Sequence, residues 1–148
     1  MGTRKTRTER TFYGTRYFKD KKILARRSTE ALAEDMDTAR DLIDTLVAHR
    51  DGCVGMAANM IGVNKRIIAV QSERGYMLML NPVILEKYEP YEAEESCLSL
   101  DGVRKTTRYM RIKVRWQTEN LRERTRVFKD LDAQIIQHEL DHCNGILI

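Results

Sequence analysis

Apolar residues recur at helical spacing early in the chain. Met36, Ala39, Leu42, Ile43, Leu46 and Val47 share one face, with Glu34, Asp37, Arg40, Asp41 and Asp44 around them. The spacing predicts an amphipathic helix of about four turns, ending near Arg50-Asp51-Gly52. From Arg66 the period changes to two. Arg66–Gln71 and Tyr76–Leu80 read as a hairpin turning at Ser72-Glu73-Arg74-Gly75. Asn81-Pro82 is expected to break the run. Val83–Tyr88 is a third strand candidate, Ile112–Trp116 alternates cleanly, and Thr125-Arg126-Val127 forms a short return after a turn at Thr118-Glu119-Asn120. A last helical pattern precedes Asn144-Gly145, which supplies its stop, with Asp130 or Asp132 as N-cap. Strands flanked by helices, without regular β–α alternation, predict an α+β fold.

That last helix carries Gln137-His138-Glu139-Leu140-Asp141-His142, an H-E-x-x-H pattern. At i and i+4 both imidazoles leave one face one turn apart, so both reach one metal ion. Glu139 lies roughly 80° to one side of that direction, as a general base, and Asp141 roughly 80° to the other. Ile136, Leu140, Cys143 and Leu147 fall opposite. The helix should therefore be buried on both sides. Five residues alone do not fix a metal site, and a third ligand is needed. Cys97, in Glu95-Ser96-Cys97-Leu98-Ser99, is the candidate. One thiolate and two imidazoles leave a fourth position open for water, as catalysis requires. Cys53 is a further sulfur that could fill that position. Cys143, on the far helix face, reads as a small buried hydrophobe. Asp141, with Arg108 as its partner, is a candidate to orient the imidazoles from outside.

Composition refines this picture in two ways. The chain has 148 residues, with 42% hydrophobic and 32% charged, which fits a globular domain. Three cysteines without scaffold spacing point to a reducing compartment, and no apolar run approaches the roughly 20 residues of a membrane span. Net charge is +4, but residues 1–22 carry eight Lys/Arg against Glu9 and Asp20, so the remainder is slightly acidic. Residues 1–22 are expected to form a disordered basic arm, and 23–148 a single catalytic domain. The arm reads as a segment without specific role, a targeting segment, or an electrostatic contact for something anionic.

Three segments taken together resemble one family. Gly55-Met56-Ala57-Ala58, Glu95-Ser96-Cys97-Leu98-Ser99 and Gln137–His142 are similar, in order and spacing, to the three signature motifs of peptide deformylases. The resemblance covers about residues 23–148. It implies a compact fold of antiparallel strands around a central buried helix bearing H-E-x-x-H. It implies one divalent metal, natively iron(II), with zinc or nickel able to replace it, held by Cys97, His138 and His142. Glu139 would be the general acid/base and the Leu98 N–H an oxyanion donor. Gly55 would contact substrate through its backbone, and Leu131 and Ile135 would line the methionine side-chain pocket. The implied reaction is hydrolysis of the formyl group from N-formylmethionine on nascent chains, by a cytoplasmic monomer with a candidate ribosome contact and no membrane.

The departures from the family pattern are specific. Met60 stands where a glutamine helps to hold the formyl oxygen, Asn59 where proline is usual, and Cys53 and Ser96 where glycines are usual. Gln134 stands in a normally apolar pocket, and the sequence ends three residues after Gly145, short of the extension many members carry. Met60 therefore supports a second reading: a paralogue with little or no turnover that binds metal or formyl-peptides. A zinc endopeptidase is disfavoured, because only six residues follow His142 to supply a downstream ligand.

Overall fold

The computed structural model describes residues 21–97 and 100–148, without the side chains of Leu100 and Asp101. Most of the basic arm and Leu98 lie outside the described residues. The described elements are, in order, α1 (Lys21–Leu24), α2 (Met36–Ala48), β1 (Gly55–Ala57), β2 (Ile67–Ser72), β3 (Gly75–Cys97), β4 (Leu100–Gln117), β5 (Glu123–Lys129) and α3 (Asp130–Cys143). Short 3-10 turns at Ala33–Asp35 and Ala58–Ile61 join them. The strands form one sheet in the order β1-β2-β3-β4-β5, antiparallel throughout. The α+β expectation holds. Among the described residues no helix is long and apolar enough to cross a membrane.

The sheet is covered on both faces. On one, Ile136, Leu140 and Cys143 of α3 pack with Ile68, Val70, Ile112, Val114, Trp116 and Phe128. On the other, Ala39, Leu42 and Leu46 of α2 pack with Met56, Ile67, Ala69 and Leu80. Strand β2 thus feeds alternate residues into two cores, which explains its run of four buried positions. Leu147, predicted for the apolar helix face, lies beyond the end of α3 and is exposed.

Two sequence expectations fail here. The Asn81-Pro82 break is a bulge inside the 23-residue β3. Asn81 adopts φ 53°, which its short polar side chain tolerates, and Pro82 sits where the register shifts. The Asn81 amide then ties the corner together, donating to the Ala31 carbonyl at 3.0 Å and to Gln117 Oε1 at 2.7 Å, while accepting from the Ala31 N–H at 2.7 Å. Beyond Leu80, β3 pairs with β4 alone, and this two-stranded ribbon passes over α3. Solvated polar residues on both sides of the ribbon erase the alternation that marks a strand in sequence. The predicted N-caps also differ. Lys129 precedes the helix, and Asp130 takes φ 55° without capping through its side chain.

The C-terminus of α3 closes as the sequence predicts. Gly145 takes φ 75°, its N–H donates to the His142 carbonyl at 3.0 Å, and the Ile146 N–H reaches Asp141 at 2.9 Å. A Cβ on Gly145 would lie 2.4 Å from the Ala25 carbonyl oxygen. A left-handed φ costs a residue with a Cβ roughly 1–2 kcal/mol, and the contact forces the backbone of the N-terminal segment to move. Gly145→Ala is therefore expected to cost about 2–4 kcal/mol and lower Tm by roughly 5–15 °C for a chain of this size. A thermal melt showing a loss below about 2 °C would mean that the segment at Ala25 yields freely.

Candidate metal centre

Helix α3 presents His138 and His142 one turn apart, and the end of β3 brings Cys97 to them. Cys97 Sγ lies 3.4 Å from His142 Nε2, and the two Nε2 atoms are 3.2 Å apart. All three donor atoms lie within 4.8 Å of one another. A tetrahedral ion with nitrogen ligands at about 2.1 Å has ligand–ligand edges of roughly 3.4 Å, so the donors are spaced for one ion. Burial pushes His142 down to about 3, so its imidazole is neutral and offers a lone pair. The donor set and its spacing fit a divalent metal.

The imidazole of His138 is oriented by a residue that the sequence reading did not single out. Its Nδ1 lies 2.8 Å from Glu95 Oε1. An ionised carboxylate only accepts, so Nδ1 carries the proton and Nε2 keeps its lone pair for the site. Arg108, almost wholly buried, donates to both Glu95 oxygens at 2.8 and 2.7 Å, and Gln134 Nε2 adds a bond of 2.9 Å. Burial alone would raise the Glu95 carboxyl, but the bonds from His138, Arg108 and Gln134 outweigh it and hold the group at about 2. The remaining Arg108 nitrogen, Nη1, donates to Asp141 Oδ2 at 2.7 Å. The Asp141–Arg108 pair expected from the sequence is present, but Asp141 secures the arginine and Glu95 orients the histidine. Glu95 lies two residues before Cys97 on an extended strand, a spacing that puts both on one side. That was the available signal.

Glu139 lies beside the donors and is 4% exposed. Burial pushes its carboxyl up to about 7, and Oε1 has no described hydrogen-bond partner. Such a group is poised to exchange a proton near neutral pH. Gly55 makes the approach of β1 to α3 sterically feasible. A Cβ there would meet Ile135 Cγ2 at 2.7 Å and Glu139 Oε2 at 2.9 Å.

A cavity of about 360 Å³ opens over this group. Gly55, Met60, Cys97, Leu131, Ile135, His138 and Glu139 all line it, whereas His142 is fully buried behind. Leu131 is exposed at the rim and Ile135 lies deep. Met60 is buried, with its sulfur 3.5 Å from the Ala57 N–H. The Asn59 amide turns away, donating to the His142 carbonyl at 2.9 Å and to Leu24 at 3.4 Å, so it does not substitute for a donor at the cavity. Cys53 also lines the cavity, but its thiol donates to the Gly55 carbonyl at 3.0 Å. Burial first, then Glu139, pushes that thiol up to about 12, so it stays protonated and is a poor ligand. Cys143 is packed in the core on the opposite face, as expected.

The comparisons with known proteins agree with this geometry. The sequence profile of the polypeptide deformylase family matches residues 17–148. A peptide deformylase of Clostridium beijerinckii is 52% identical over 130 residues, which is 88% of this chain and 96% of that protein. The crystal structure of peptide deformylase from Thermotoga maritima superposes with a TM-score of 0.79 at 33% identity, over 89% of this chain and 91% of that one. A class I type b peptide deformylase from Acinetobacter baumannii, with Met-Ala-Ser bound, gives 0.76 at 32% identity, over 85% and 90%. A profile match over most of the sequence, with half the positions shared across nearly the whole of a relative, places the chain in the peptide deformylase family, metal-dependent hydrolases that remove the N-formyl group from nascent polypeptides.

Proposed function

We propose that Cys97, His138 and His142 hold one divalent metal ion and that Glu139 moves the proton in deformylation. The observation that supports this reading is the convergence of one sulfur and two Nε2 atoms beside a buried, unpartnered carboxylate oxygen. A thiolate with two imidazoles suits iron(II), zinc and nickel alike; the family resemblance favours iron(II) in the cell. When bound, the ion supplies Lewis acidity, lowering the pKa of water and polarising the formyl carbonyl.

The chain's own residues do the rest. Glu139 Oε1 takes the proton of the attacking water and returns it to the leaving amine, a transfer matched to its raised pKa. The Glu95 carboxylate holds the His138 ring in one tautomer throughout. Leu131 and Ile135 seat the methionine side chain, and the Gly55 backbone aligns the peptide. The Met-Ala-Ser bound to the Acinetobacter relative is consistent with a peptide that begins with methionine. The Leu98 N–H is our donor to the oxyanion. Met60 contributes none, because a thioether carries no hydrogen to donate. We further place the protein in the cytoplasm as a monomer. Residues 1–22 form its basic arm, a candidate contact to the ribosome, and residues 23–148 its one domain.

Glu139→Gln is expected to keep one equivalent of metal while losing turnover of a formyl-Met peptide, whereas Cys97→Ala loses the metal. One equivalent of metal retained by Cys97→Ala would remove Cys97 from the ligand set. Gly55→Ala should lower kcat at least about tenfold with metal retained, because the new methyl displaces Glu139 and Ile135 from reacting position. An unchanged kcat would show that the strand and helix separate without cost.

Met60→Gln restores a donor where one preorganised oxyanion contact is worth on the order of 10²–10³ in rate. Because the metal also polarises that oxygen, kcat/KM should rise at least about tenfold, or roughly 1.4 kcal/mol, in metal-matched proteins. No change in an active enzyme would refute the missing-donor argument. Absence of turnover in both proteins, with metal bound, would favour the binding paralogue.

A further inference from the structure

A second cavity, of about 500 Å³, lies on the opposite side of α3 from the substrate cavity, between the bulge at Pro82–Ile84 and the end of the helix. Arg27, Arg66, Lys87 and Arg108 line it, with Asp141 as the carboxylate among the lining residues. Arg108 and Asp141 are paired to each other, and Arg108 also holds Glu95. The other three cations are uncompensated: among the described residues no carboxylate lies within ion-pair distance of Arg27, Arg66 or Lys87.

These cations are placed by the fold. The Arg66 N–H bonds the Thr29 carbonyl at 2.8 Å, and its Nη1 bonds the Cys143 carbonyl at 3.2 Å, which commits one edge of the guanidinium to the helix end. The Ser28 N–H reaches the same Cys143 carbonyl at 2.7 Å and so brings Arg27 alongside. Lys87 Nζ lies over the Tyr109 ring, 4.7 Å from its centroid, on the facing wall. Neutral polar side chains, Thr107 and Asn144 among them, share the lining. Three cations with no carboxylate partner among the described residues, set around a concave space, form the chemistry of a phosphate site, to which arginine forks are suited. The positive track continues outward, because Lys21, Arg26 and Arg27 are exposed along the segment that leads to the cavity.

We propose that this cavity binds a phosphate group and that the track beside it extends the contact along a phosphodiester backbone. The test uses full-length, metal-loaded protein and two probes, inorganic phosphate and a single-stranded oligoribonucleotide of about twelve nucleotides, within the usual site size for such strands. Arg27→Gln/Lys87→Gln should weaken the better probe at least about tenfold, and should flatten the dependence of log K on log salt for the RNA by roughly 0.7 per cation removed. Unchanged Tm and metal content establish that the variant is folded. Arg27→Gln alone, at an exposed position, repeats the test with the smallest perturbation. Tighter RNA binding identifies a backbone as the source of the phosphate, and tighter binding of free phosphate a small anion; either result supports the site. Equal RNA binding by wild type and variants, with no phosphate binding below about 1 mM, assigns the RNA affinity to the N-terminal arm and overturns the proposal.

Discussion

Burying a helix with polar residues on both flanks of its metal-facing side sets the terms for everything around it. Gln137, His138, Glu139 and His142 are all withdrawn from water on α3, and each would be costly there without a partner. The sheet supplies partners for Gln137 and His138, and the segments beside it bond the carbonyls at the helix end. Gln137 bonds both the N–H and the carbonyl of Tyr109, at 2.9 and 2.8 Å, just beyond the last β4–β5 pair at Arg111 and Lys129. The side-chain amide thus continues the pairing of β4 where β5 has ended. His138 meets Glu95, the His142 carbonyl meets Asn59, and the Cys143 carbonyl meets both Ser28 and Arg66. The long β3–β4 ribbon is what reaches the far side of the helix to deliver Glu95, Cys97 and Arg108.

Legibility in the sequence followed whatever had a single-sided environment. Helix α2 has one buried face and was readable from Met36 to Val47. The H-E-x-x-H pattern was readable because helix geometry alone puts two nitrogens together, and Cys97 because it stood in a motif of its own while Cys143 faced away; Cys53 stayed open until its burial and its bond to the Gly55 carbonyl were seen. The β2–β3 hairpin was found, yet the full length of β3 was not. Its outer part is solvated, and its bends at Asn81 and Glu89 use positive φ, which a propensity reading takes as a break. Glu95 stood among several acids, with its two-residue spacing from Cys97 as the pointer to it. Its selection depends on Arg108 arriving from 13 residues away across a hairpin, and pairing of that kind has no one-dimensional signature.

Positions 59 and 60 show how neighbouring residues divide their duties. Asn59 joins the helix end to the N-terminal segment through two carbonyls, a structural task. Met60 belongs to the α2-side core and to the wall of the substrate cavity at the same time. A glutamine in its place would carry a polar amide into a largely apolar setting, where it is stable only if it finds a partner. The exchange for methionine therefore removes both a donor and an obligation to satisfy it.

Strand β2 has one property that reaches beyond packing. Because Ile68 and Val70 serve the α3 core while Ile67 and Ala69 serve the α2 core, the two halves of the molecule share a wall only one chain thick. Separating α2 from the sheet uncovers one face of the strand whose other face backs α3, and displacing α3 uncovers the reverse, while β1 and β3 keep the strand paired. Loss of either layer therefore weakens the packing of one strand common to both cores. A disturbance on the α2 surface consequently has a direct mechanical route to the helix bearing His138 and His142, and a ligand that tightens that helix would slow hydrogen exchange on the far side of the sheet.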